Sequence, residues 1–139
     1  MIVGPHCVLL DAEALSALAV RDRRAQAWTH VLQRTDSVLY VSTLTLAEVT
    51  DGTARDAAIR RTVNTLRLVP VTHDIAYEAG RLRTTGTKAR RKPRDLTVDA
   101  VVAATALTLR RPTVVLTCDP HDLTILLATA DPPVRVESL

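Results

Sequence analysis

The sequence predicts an α/β domain with a parallel sheet covered on both faces. Three observations carry this expectation. Short aliphatic and β-branched runs alternate with segments whose apolar residues recur every three to four positions. The short runs are apolar throughout rather than at every second residue, as in strands buried on both sides. The chain has 139 residues and is 47% apolar, enough for one domain with a substantial core. That core must be aliphatic, because Trp28, Tyr40 and Tyr77 are the only rings and Phe is absent. The same scarcity argues against an RNA-binding sheet that stacks bases on aromatic side chains. The apolar fraction argues against a disordered chain.

Each element follows from local pattern. Residues 8–10 form a buried strand ending at Asp11. Ala and Leu at helical spacing give a helix over 12–20. A second helix runs over 22–33, with Ala25, Trp28, Val31 and Leu32 on one face. Residues 38–41 are β-branched and aromatic, hence a second strand. Ser42 or Thr43 caps a helix containing Leu46, Ala47 and Glu48, and Gly52 stops it. A further helix spans 53–66, and 68–71 is a strand that Pro70 assigns to a sheet edge. Thr72 caps a helix from 73 to 82. Residues 81–94 hold seven basic residues in fourteen, with Gly86 and Pro93, and read as a basic loop. Thr97 caps a helix over 98–109 that is apolar almost all round and therefore buried. Residues 113–116 form a strong strand, Asp119 caps a last helix to 127 with Pro120 at its first position, and 134–136 close the sheet. No linker or repeat divides the chain, so residues 1–139 are expected to form a single domain.

Cys7 and Cys118 make no disulfide framework and read as buried thiols. No apolar stretch reaches the roughly 20 residues of a membrane span, and no basic region precedes an apolar run at the N-terminus. The expectation is a cytoplasmic protein without membrane association.

The informative feature is where the carboxylates fall. Asp11 and Asp119 each follow a strand, and in open parallel sheets ligands bind outside the carboxyl ends of strands. Glu48 lies in the helix after the second strand, and Asp99 in the first turn of the apolar helix. Asp122 follows Asp119 by three residues. Taken singly, Asp99, Asp119 and Asp122 are ordinary first-turn acids favoured by the helix dipole, and Glu48 is an ordinary solvated residue. Taken together they would repel one another unless a cation were present. The joint pattern points to a hard divalent ion with oxygen ligands. Mg2+ suits it, with Mn2+ as a substitute, and the implied reaction is phosphodiester hydrolysis.

Four segments in order carry a resemblance. Leu10-Asp11-Ala12, Leu46-Ala47-Glu48-Val49, Thr97-Val98-Asp99-Ala100 leading into Ala103-Ala104-Thr105-Ala106, and Leu116-Thr117-Cys118-Asp119-Pro120-His121-Asp122-Leu123 resemble the motifs of PIN-domain ribonucleases. Size and spacing resemble the VapC toxins of bacterial toxin–antitoxin pairs. The resemblance covers essentially the whole chain. It implies a three-layer α/β/α PIN-like domain with a central, mainly parallel sheet of about five strands. It implies Asp11, Glu48, Asp99 and Asp119 as the catalytic, metal-binding acids, Asp122 as a further metal ligand, and Thr117 as a supporting hydroxyl. It further implies an Mg2+-dependent or Mn2+-dependent endoribonuclease toxin acting on RNA, with tRNA and ribosomal RNA as candidate targets. A homodimer and a VapB-type antitoxin partner follow from the same likeness. One departure is Glu13, where similar toxins carry Ser, Thr or Gly; it either joins the acids or faces outward as a first-turn acid, and the second reading is favoured.

Arg83, Lys88, Arg90, Arg91, Lys92 and Arg94 precede the Asp99 helix and are candidates for contact with RNA or antitoxin. The ordinary reading is a solvated loop. The Cys118–His121 spacing has no second half-site to complete a zinc centre. Neither a Gly-rich phosphate loop nor a serine-hydrolase elbow is present. A phosphoacceptor receiver needs a lysine after a late strand, and the only lysines are Lys88 and Lys92. The alternative function is a catalytically inactive PIN-like module that binds RNA or antitoxin.

Overall fold

A computed structural model of the chain describes residues 4–89 and 95–139. The elements in order are β1 (Cys7–Leu10), α1 (Ala12–Ala19), α2 (Arg23–Arg34), β2 (Val38–Ser42), α3 (Thr43–Val49), α4 (Asp56–Val63) and β3 (Arg67–Val69). They continue with α5 (His73–Ala89), α6 (Thr97–Thr108), β4 (Thr113–Thr117), α7 (Pro120–Leu126) and β5 (Val134–Ser138). The five strands form one sheet in the order β3-β2-β1-β4-β5, and every pairing is parallel. The predicted three-layer α/β/α architecture is thus the observed one.

Alternate residues of the central strands point to opposite faces. Leu9 and Val115 pack with Ala79, Leu82 and Ala103 under α5, α6 and α7. Val8, Leu10, Val114 and Leu116 pack with Leu15, Ala25, Leu32 and Ile59 under α1, α2 and α4. Helix α3 lies at the seam: Leu44 packs against the first core, and Leu46 and Val49 against the second. Both cores are aliphatic, as the composition requires, and α6 buries every residue from Ala100 to Ala106.

The structure corrects four local expectations. Strand β3 ends at Val69, so Pro70 lies beyond it, although the edge position holds. Val31 does not share the buried face of α2 and is 37% exposed. Helix α5 continues seven residues past Leu82 to Ala89, so Arg81, Arg83 and Lys88 stand on a helix and not in a loop. Its inner positions Ile75, Ala79, Leu82 and Gly86 keep helical spacing, and Gly86 is buried where a Cβ would stand 2.7 Å from Leu126 and 3.2 Å from Leu96. Gly86 therefore permits a close helix–helix approach rather than breaking the helix. Finally, Thr97 does not cap α6. Thr97 is the first helical residue, the cap position is Leu96 without a side-chain bond, and the Asp95 carboxylate ahead of it accepts from the Thr97 amide at 3.0 Å and from the Thr97 hydroxyl at 2.6 Å.

Both cysteines are half-buried and unbridged. Among the described residues no helix is long and apolar enough to cross a membrane.

Candidate functional site

Strand order reverses between β1 and β4, which are adjacent though far apart in sequence. A crevice outside the carboxyl ends of these strands is the expected ligand position. Leu10 is in register with Leu116, and the amide of Asp11 donates to the Leu116 carbonyl at 3.2 Å. The end of β1 is thereby tied to the end of β4.

Asp11 leaves the strand with an extended backbone and caps α1, its Oδ1 accepting from the Ala14 amide at 2.9 Å. The hydroxyl of Thr117, at the end of β4, also hydrogen-bonds this carboxylate. Thr117 is buried and accepts from the Asp119 amide at 3.0 Å, so one side chain joins two of the predicted acids. Burial pushes the Asp11 carboxyl up from its ordinary 3.8; the Thr117 and Ala14 bonds oppose this, and the charges of Glu13 and Asp99 add to it. Glu48 is also pushed up, first by desolvation, then by Asp99 and Asp11. Asp11 and Glu48 therefore feel each other and Asp99. The topology explains why: α3 carries Glu48 and packs on α1 and α6, whose first residues bring in Asp11 and Asp99.

Asp119 caps α7, with Oδ1 accepting from the His121 amide at 3.3 Å, and Pro120 occupies the first helical position. Asp122 lies in the first turn of the same helix and is buried. Glu13 is exposed in the first turn of α1, as favoured from the sequence, yet its charge reaches Asp11 and it accepts a hydrogen bond from the Cys118 thiol. Burial, followed by the charges of Glu13 and Asp11, pushes that thiol up.

Asp11, Glu48 and Asp99 act on one another's charge. Among the described residues no three His, Cys, Asp or Glu side chains form a ready cation cage. The donor set consists of carboxylate oxygens, the chemistry that Mg2+ and Mn2+ prefer.

Two residues escaped the sequence reading. Asp56 is buried, and its carboxylate accepts from the amides of Asp51 at 3.1 Å and Gly52 at 2.9 Å, closing the loop after α3. Thr45 is wholly enclosed on α3, and its hydroxyl is the one buried side-chain polar atom without a hydrogen-bond partner among the described residues. An unmet buried hydroxyl costs about 1–3 kcal/mol. Its position three residues before Glu48 was the available signal.

Of the basic candidates, Arg83 reaches the start of α6, donating to the Thr97 hydroxyl at 3.3 Å, and its charge helps lower Asp95. Lys88 is exposed in the last turn of α5. Arg90, Arg91, Lys92 and Arg94 lie outside the described residues. An open groove of about 1130 Å³ runs beside α1, α2, α4 and β3, past Leu18, His30, Leu39, Arg61 and Arg67, and its lining includes none of the five acids.

The family model of the PIN domain matches residues 8–123. Among curated proteins no sequence matches the chain significantly. Among solved structures, the VapBC2 complex of Rickettsia felis bound to a promoter DNA fragment is similar at 13% identity and TM-score 0.68, covering 95% of this chain and 98% of the other. DNA-bound VapBC from Salmonella typhimurium is similar at 16% identity and TM-score 0.68, covering 96% and 98%. A toxin–antitoxin complex from Klebsiella pneumoniae is similar at 24% identity and TM-score 0.60, covering 83% and 88%. These likenesses extend over nearly the full length of the fold. With the family model spanning both strand ends and all four acidic segments, the chain belongs to the PIN domain family.

Proposed function

We propose that the chain is a VapC-type toxin, a metal-dependent endoribonuclease acting on cytoplasmic RNA and restrained by a VapB-type antitoxin. The observation that carries this reading is the electrostatic coupling of Asp11, Glu48 and Asp99 at the reversal point of a PIN-family sheet. A divalent cation held among these carboxylates would offset their mutual repulsion. Asp11, Glu48, Asp99 and Asp119 would hold Mg2+ or Mn2+, with Asp122 in support. Such an ion supplies Lewis acidity that offsets charge on a scissile phosphate and makes water a stronger acid. Thr117 keeps the Asp11 carboxylate aimed while tethering Asp119. Arg83 brings positive charge to the start of the Asp99 helix and Lys88 adds an exposed charge in the last turn of α5, where an RNA phosphate would approach. The antitoxin assignment draws on the fold's likeness to chains of VapBC complexes. We also propose a homodimer, which light scattering at micromolar concentration tests.

The deciding experiment incubates purified protein with defined RNAs, first with chelator and then with Mg2+ or Mn2+ restored. The wild type should cleave only when the ion is restored, and Asp99→Asn should not cleave under either condition. Cleavage by Asp99→Asn at the wild-type rate would overturn the reading. RNA binding without cleavage by the wild type would instead favour a non-catalytic binding module.

A further inference from the structure

Helical threonines in this protein satisfy themselves. Thr29, Thr50, Thr62, Thr84, Thr87 and Thr124 each return the hydroxyl to the carbonyl four residues back. Thr105, as deeply buried as Thr45, does the same to Val101 at 2.7 Å. The neighbours of Thr45 are also engaged. Ser42 Oγ accepts from the Leu44 amide at 3.2 Å, and Thr43 Oγ1 accepts from the Val71 amide at 3.2 Å. Thr45 alone of this group keeps an unmet hydroxyl, at 0% exposure. A valine would fill nearly the same space and avoid the desolvation penalty of the hydroxyl.

The position of Thr45 suggests what the hydroxyl is for. Leu44 and Leu46, on either side, pack against different cores, and Thr45 is enclosed between them. Helical spacing puts it on the face of Glu48. The helices that α3 meets across the seam are α1, which starts from Asp11, and α6, which carries Asp99 in its first turn. Buried polar groups with no protein partner are met by ordered water or an ion.

We infer that Thr45 is a positioning residue of the cation site, its hydroxyl reserved for a water that the cation orders beside Glu48. This rests on the metal-dependent reading proposed above. The residue binds no substrate and touches no reacting atom; it orients the shell through which Glu48 meets the ion.

The test measures Mn2+ affinity by calorimetry and the unfolding midpoint without added ion. It uses the wild type, Thr45→Val and Asp99→Asn, with Thr45→Ser and Thr45→Ala as a second pair that differ only in the hydroxyl. Thr45→Val should unfold at the wild-type temperature or above without the ion, yet bind Mn2+ about tenfold more weakly. Thr45→Ser should bind close to wild type and Thr45→Ala should not, which keeps the comparison decisive even if Thr45→Val fails to fold. If Thr45→Val, or Thr45→Ala in its place, binds Mn2+ as tightly as its hydroxyl-bearing counterpart while Asp99→Asn has lost binding, this inference falls and the metal-dependent reading stands. If the wild type itself binds neither Mn2+ nor Mg2+, both fall together.

Discussion

Asp11 does three things at once, and they can be separated. Its carboxylate caps α1, bonds Thr117 and stands among Glu48, Asp99 and Glu13. Asn caps a helix as well as Asp does. Asp11→Asn should therefore keep the fold while lowering RNA cleavage on the order of 100-fold or more, the scale of losing one electrostatic group at a reacting centre. Circular dichroism and a single-turnover cleavage assay check the two halves. The raised carboxyls of Asp11 and Glu48 also set a pH dependence. A carboxyl raised in the folded state binds more protons there than in the unfolded chain. Its stabilising contribution is complete below the unfolded value, near 3.8 for Asp11 and 4.5 for Glu48, and is lost as pH rises through the raised folded value. In chelator the wild type should thus lose stability across that window, and Asp11→Asn should lose less. Parallel loss in urea titrations of the two proteins would show that the Asp11 charge is not strained. Asp11 and Asp99 were legible because a strand end and an otherwise apolar helix make a carboxylate conspicuous. Thr45 was not, because an unmet hydroxyl is defined by what two distant helices fail to supply.

Helix α5 shows how a single residue misleads at the scale of an element. The basic run of residues 81–94, holding Gly86 and Pro93, reads as a loop after a helix ending at 82, but the helix runs on to Ala89 because Gly86 admits Leu126 and Leu96. Gly80, in the same helix, has open space where its Cβ would be. The two glycines therefore predict opposite signs. Gly86→Val should lower stability by about 1–3 kcal/mol through overpacking. Gly80→Ala should raise it by about 0.5–1 kcal/mol through backbone entropy and helix propensity. Urea midpoints with unchanged slopes check both. The loop after α3 obeys a different rule. Asp56→Ala leaves the amides of Asp51 and Gly52 without their acceptor and should cost about 1–3 kcal/mol. Elements governed by local chemistry were readable in the sequence. Thr72 caps α5 through the Ile75 amide, and Asp119 with Pro120 opens α7. An element governed by tertiary contact was not: α5 needed α7 to explain its length.

For the whole molecule, the net charge of +3 conceals an uneven distribution. If Asp11, Glu48, Asp99, Asp119 and Asp122 share one mouth, only ten of the 15 acids remain against 18 bases, and the rest of the molecule carries +8. An acidic mouth repels RNA, while a basic surround attracts it and a bound cation lets it close in. This division predicts two salt behaviours. Binding of a single-stranded RNA by the non-cleaving Asp99→Asn protein should weaken steeply with salt, with a log–log slope of about −0.7 per phosphate neutralised. Lys88→Ala should make that slope shallower by about one such step, because Lys88 is exposed and its loss removes charge without disturbing a contact that holds the fold. Arg83→Ala should do the same and also loosen the start of α6, since Arg83 bonds Thr97 two residues before Asp99. If neither substitution changes the slope, helix α5 does not face the RNA. The attraction would then have to come from other bases, and the groove bordered by Arg61 and Arg67 would be the next surface to substitute.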